Sequence, residues 1–79
     1  MTNFPGKYDR YLRAAVQRAV TGADVHWAMH YLDYNYYNAC SLEEKYKDDP
    51  AQAELRKKSR EECERTLRMF IATGKRPGA

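Results

Sequence analysis

Three side chains able to bind a metal ion share one face of a single stretch: His26, His30 and Asp33, at i, i+4 and i+7. Two neutral imidazoles one helical turn apart can share a divalent ion, and the carboxylate could add a third ligand. Cys40 lies two turns further along, too distant to complete such a set. A hydrolytic zinc helix carries a glutamate directly after its first histidine as general base, and Trp27 stands there instead. The sequence favours two partly exposed histidines flanking an aromatic surface, so no metal is assigned. Nucleophilic chemistry has little support. Cys40 and Cys63 both fall on apolar stripes, where cysteine behaves as a small hydrophobe, and neither opens a helix, which would lower its pKa. Gly-rich phosphate loops and paired carboxylates in a cleft are absent. The expectation is a non-enzyme that needs no cofactor.

The histidines belong to the run His26-Trp27-Ala28-Met29-His30-Tyr31-Leu32-Asp33-Tyr34-Asn35-Tyr36-Tyr37. At helical spacing its large side chains form three stripes. Val25, Met29, Leu32, Tyr36 and Ala39 make one. Trp27, Tyr31 and Tyr34 make the second, and His26, His30, Asp33, Tyr37 and Cys40 the third. A helix packed on one neighbour has one apolar face; aromatic mass on nearly every side points to a further partner. Trp27, Tyr31, Tyr34, Tyr37 and His30 are therefore the candidate partner-binding residues. Tyrosine suits an interface because its body is apolar and its tip can hydrogen-bond. The same tyrosines could stack on bases while Arg10, Arg13, Arg56, Lys57 and Arg60 hold phosphates.

The charge distribution argues against that second use. Residues 1–22 carry four basic and one acidic group, residues 23–49 two and six, and residues 50–79 eight and four, giving +3, −4 and +4 and the net +3 of the chain. The aromatic stretch is thus acidic. The basic cluster around Arg56, Lys57 and Arg60 is interleaved with acids at i,i+4, as in Arg60–Glu64 and Glu64–Arg68, the pattern of a solvated helix face.

Proline and glycine mark the elements that must position these residues. Pro5-Gly6, Gly22, Asp48-Asp49-Pro50, Gly74 and Pro77-Gly78 bound three stretches free of both in their interiors. Helices are expected over about 7–20, 23–47 and 50–73, with tails at 1–6 and 75–79. In the first helix Tyr8, Leu12, Ala15, Val16 and Ala19 form the inward face, and Gly22 fits a left-handed cap. Thr21 and Asp24 match a capping box for the second helix. Asp49, Pro50 and Gln52 suit the N-cap, first and third positions of the last helix. Two long helices joined by a two-residue turn should form an antiparallel hairpin in which facing residue numbers add to about 97–98, so that Met29 meets Met69, Leu32 meets Thr66 or Leu67, and Tyr36 meets Cys63.

The expected architecture is all-α: a short N-terminal helix followed by a long antiparallel helical hairpin, self-associating as a dimer. A chain of 79 residues makes one small domain. It has no apolar N-terminal run of signal-peptide type and no transmembrane stretch, so a soluble cytoplasmic protein is expected. Abundant tyrosine, tryptophan and arginine favour a small stoichiometric binding module, an inhibitor or adaptor acting on a larger protein. In general type the chain resembles the small helical inhibitors that bacteriophages encode against host defence or regulatory proteins. Nucleic-acid or nucleotide binding, and a metal site at His26 and His30, are the alternatives. The register also generates a test. Cys40 should face residue 57 or 58, leaving its sulfur offset from that of Cys63 by about 7–8 Å along the axis, whereas a disulfide needs α-carbons within about 7 Å. Thiol titration of unfolded, unreduced protein should count both cysteines as free.

Overall fold

The computed structural model describes residues 7–78. The tail expected at 1–6, and Ala79, lie outside the described residues. The fold is all-α, with helices α1 (Lys7–Arg18), α2 (Gly22–Tyr31), α3 (Tyr37–Lys45) and α4 (Pro50–Thr73), and a π-helical turn (Leu32–Tyr36) that joins α2 to α3 without a break. The body measures 41 × 28 × 16 Å.

Each boundary has a local cause. Thr21 caps α2: its hydroxyl accepts from the Asp24 backbone N–H while the Asp24 carboxylate accepts from the Thr21 backbone N–H. Gly22, expected as a left-handed cap for α1, is instead the first residue of α2. The left-handed glycines among the described residues are Gly74 and Gly78. α1 accordingly stops at Arg18, and the Val20 N–H donates to the Gly74 carbonyl, 3.0 Å away. α3 ends at Lys45 rather than 47, so the turn before α4 spans Tyr46–Asp49 and is longer than the two residues expected. Asp49 caps α4 by accepting from the Gln52 N–H, and Pro50 occupies the first turn, where a missing N–H costs nothing.

The contacts along α4 and the segment after it give the arrangement. Glu43 meets Arg60, Tyr36 meets Glu64, Trp27 meets Phe70 and Asp24 meets Arg76, so residue numbers fall on one side as they rise on the other. Their sums drift from 97 at Trp27–Phe70 to 103 at Glu43–Arg60. Asp24–Arg76 and Tyr36–Glu64 both give 100, so the side-chain contacts follow no single constant register of the kind expected. α1 lies over the groove between α2 and α4. Lys7 reaches Glu64, and the C-terminal ends of α1 and α4 meet at Gly74.

The core has two parts. Ala15, Ala28 and Phe70 form one, with Ala19 and Trp27 packed against it. Leu32, Tyr36 and Leu67 form the other, flanked by Tyr8, Tyr11, Leu12, Tyr31, Cys40 and Cys63. The buried positions of the middle helices are Asp24, Ala28, Leu32, Tyr36 and Ala39, at a spacing mostly of four. An α-helix turns once in about 3.6 residues, so each four-residue step overshoots by about 40°. The π turn is wider, with the Tyr37 N–H donating five residues back to Leu32. It absorbs part of that drift along the series from Asp24 to Ala39. The expected stripe through Val25 and Met29 is corrected accordingly: Met29 and its expected partner Met69 both face solvent. On α1, Val16 is likewise exposed, and Tyr11 takes an inward place, its ring edge-on to Tyr36 at 5.5 Å.

Two substitutions test the packing. Leu67→Ala should cost about 2–5 kcal/mol by leaving a cavity, while Leu55→Ala, on the exposed face, should cost under about 1 kcal/mol. Urea denaturation reads both. At Gly74 an added Cβ would sit 2.1 Å from the Arg18 carbonyl oxygen, at a φ of 72°. Gly74→Ala should therefore cost more than about 2 kcal/mol, measured the same way.

Candidate functional site

The core side of α2 and the π turn determines what the opposite side presents. Ala28, Leu32 and Tyr36 point inward, so His26, His30, Asp33, Tyr34 and Tyr37 emerge on the outer face with Met29 beside them. Tyr34 is 62 % exposed, Met29 44 % and Tyr37 37 %. The rings of His26, His30 and Tyr34 form a ladder along this face, with centroids 6.4 Å apart between the histidines and 4.4 Å between His30 and Tyr34. The Asn38 side chain donates to the Tyr34 carbonyl at 2.6 Å, adding a bond across the π turn.

The candidate partner-binding residues separate into two groups. Tyr34, Tyr37 and His30 lie on the outer face. Trp27 and Tyr31 are half-buried: the indole stacks with the Tyr31 ring at 4.9 Å and with the Phe70 ring at 5.4 Å. α4 covers the indole through Phe70, and the same cores contain Ala15, Tyr11 and Leu12 of α1. Burial raises the pKa of the Tyr31 hydroxyl, which sits among Thr66, Cys63 and Glu62.

Asp33 is not brought to the histidines as a third ligand. It accepts a hydrogen bond from the Tyr8 hydroxyl of α1. Burial first, and Asp33 second, push that phenol up to about 12. Among the described residues no group of three His, Cys, Asp or Glu side chains is placed to hold a metal ion. Both cysteines are free thiols, and burial raises the pKa of Cys40, making its thiolate scarcer near neutrality.

The candidate anion-binding residues are scattered. Arg10 and Arg13 are exposed on α1 and form no ion pair among the described residues; Lys57 is exposed on α4. The Arg56 guanidinium lies over the Tyr46 ring, 5.1 Å from its centroid. Arg60, expected on a solvated face, is corrected to a partly buried bridge. Its fork pairs with Glu43 at 2.8 and 3.2 Å, and Nη1 reaches Glu64 at 3.2 Å. The Glu43 carboxylate raises the Arg60 pKa, so its donors are already committed.

Two buried carboxylates escaped the sequence reading. Glu64, 3 % exposed, accepts from the Tyr36 hydroxyl and from Arg60 and Arg68, with Lys7 3.6 Å away. The i,i+4 spacing of Arg60, Glu64 and Arg68 was visible but reads equally as a surface ladder. Asp24, 2 % exposed, accepts from the backbone N–H and Nη1 of Arg76 as well as from Thr21. Arg76 lies in the segment expected as a free tail, and these bonds tie it to the start of α2.

No family model, no curated protein and no solved structure matches the chain. Among the described residues no helix is long and apolar enough to cross a membrane.

The Arg76 backbone N–H, followed by the bonds from Thr21, lowers the Asp24 pKa from 3.8 to about 2. A lowered carboxyl pKa adds stability that is fully present above 3.8 and is lost as the pH falls through about 2. Thermal melts of wild type and Asp24→Asn should differ at pH 6 and converge across that window. A gap unchanged down to the lower value would show that the charge on Asp24 contributes nothing. At the other carboxylate, Arg60→Ala should cost about 1–3 kcal/mol, because it leaves a buried charge short of a partner; the loss expected at a solvated position is under about 0.5 kcal/mol.

Proposed function

We propose that this protein is a small stoichiometric protein-binding module, an inhibitor or adaptor acting on a larger protein, that docks through the outer face of α2 and the π turn. The observation that carries the reading is the exposure of Tyr34, Tyr37 and Met29 on one face with His30 between them. Tyrosine dominates binding hot spots because it offers a large, stiff contact area with a polar tip. A reducing, cytoplasmic setting suits the two free thiols. The same face supports self-association, with a second copy covering it when no other partner is bound. The general likeness to phage-encoded inhibitors of host defence or regulatory proteins belongs to this reading too.

A second reading, binding of single-stranded nucleic acid, draws on Arg10 and Arg13, which are exposed and unpaired among the described residues. It requires affinity that falls steeply with salt.

The test is an affinity capture from the native cell with wild type and the Tyr34→Glu/Tyr37→Glu variant, followed by a binding titration on the purified partner. The variant should keep its helical circular dichroism and lose at least about 2 kcal/mol of affinity, the size of a hot spot. Light scattering on the two proteins reads self-association. A partner that both proteins hold equally, or binding that tracks Arg10→Ala/Arg13→Ala and salt instead, would remove the outer face from the mechanism.

A further inference from the structure

Independently of any protein partner, we propose that His26 and His30 form a chelating site for one divalent transition-metal ion of borderline softness, such as Zn²⁺ or Ni²⁺, with its remaining coordination positions open to water.

The backbone between the two residues is already fixed. α2 is capped by Thr21 and Asp24, Asp24 is held by Arg76, and Ala28 and Leu32 are buried on the opposite face. The ligands need no ordering of the chain when the ion arrives, so the entropic cost of forming the site is met by folding.

Both imidazoles are exposed and one turn apart, their planes only 26° from parallel. Among the described residues neither is held by a hydrogen bond or a carboxylate. Two imidazoles bound at a Zn–N distance of about 2.0–2.1 Å, with a tetrahedral angle between them, have ring centroids about 5 Å apart. The observed separation is 6.4 Å. Binding takes about 1 Å of approach and a turn of the near-parallel rings that points one nitrogen of each at the ion, within the ordinary freedom of exposed side-chain rotamers.

Asp33 shares this face but is engaged by the Tyr8 hydroxyl. The protein therefore supplies two ligands, and the ion keeps exchangeable positions. Imidazole pairs select Zn²⁺, Ni²⁺ and Cu²⁺ over Mg²⁺ and Ca²⁺, which prefer oxygen.

Calorimetric titration of the full chain with Ni²⁺, and separately with Zn²⁺, tests the site. Wild type should bind one ion per chain with a dissociation constant below about 100 μM. His26→Gln and His30→Gln should each weaken binding at least tenfold while keeping the circular dichroism of wild type. The imidazole proton resonances of both histidines should shift on addition of Zn²⁺. No binding tighter than the stated limit, or a loss below tenfold in either variant, would overturn the proposal. Binding lost instead in Cys40→Ser or Cys63→Ser would do the same by placing the ion on a thiolate.

Discussion

The fold depends on a carboxylate taken out of water. Glu64 is 3 % exposed, and a charge in that position is tolerable only when it is surrounded by donors. Those donors come from three parts of the chain: Lys7 from α1, the Tyr36 hydroxyl from the π turn, and Arg60 and Arg68 from α4 itself. Arg60 then continues to Glu43 on α3. One group thus ties together α1, α4 and the middle helices. Apolar contacts would allow these helices to slide; hydrogen bonds of fixed direction set how far along each other they sit. Asp24 plays the same part at the opposite end, joining the start of α2 to the segment that follows α4.

The π turn follows from that placement. Tyr36 must bring its hydroxyl to Glu64 while Leu32, four residues earlier, packs on Leu67. Each four-residue step of an unbroken α-helix overshoots by about 40°, and over the buried series from Asp24 to Ala39 that would carry one end off the core. The wider turn keeps that series inside and displaces the outer residues by the same rotation. Tyr34 and Tyr37 stand on the surface because Leu32 and Tyr36 are buried. The surface from which function is proposed is in this sense the reverse side of the core.

A small helical body offers few ways to act. Its polar groups with perturbed protonation are mostly structural: Asp24 is lowered by Arg76 and Thr21, and burial raises Tyr36, Tyr31 and Cys40. The side chains left over are surface tyrosines, two histidines in a ladder, and the exposed arginines of α1. Recognition by contact area suits the first, ion chelation the second and phosphate the third. The tyrosines and histidines share one helix face, whereas the exposed Arg10 and Arg13 are carried on a different helix.

Local chemistry made much of the fold legible in the chain. Thr21 with Asp24, and Asp49 with Pro50, carry capping signals that act within one turn, and Gly74 marks its own left-handed stop. The absence of glycine and proline between these points shows three helical stretches. The outward place of His30, Tyr34 and Tyr37 was also within reach, since they sit a turn or so apart. What the chain could not reveal depends on contacts between residues far apart in it. Arg60 looked like one of many solvated cations until Glu43 approached, and Arg76 looked like part of a tail until Asp24 received it. Trp27 and Tyr31 seemed destined for a partner because nothing nearby in sequence announces Phe70 beside them. The π turn has no composition of its own. It lies in the middle of the buried series from Asp24 to Ala39, which packing against distant residues holds on one face. Short-range hydrogen bonds and backbone preferences are written residue by residue; the rotation of a helix and the burial of a charge belong to the whole packed body.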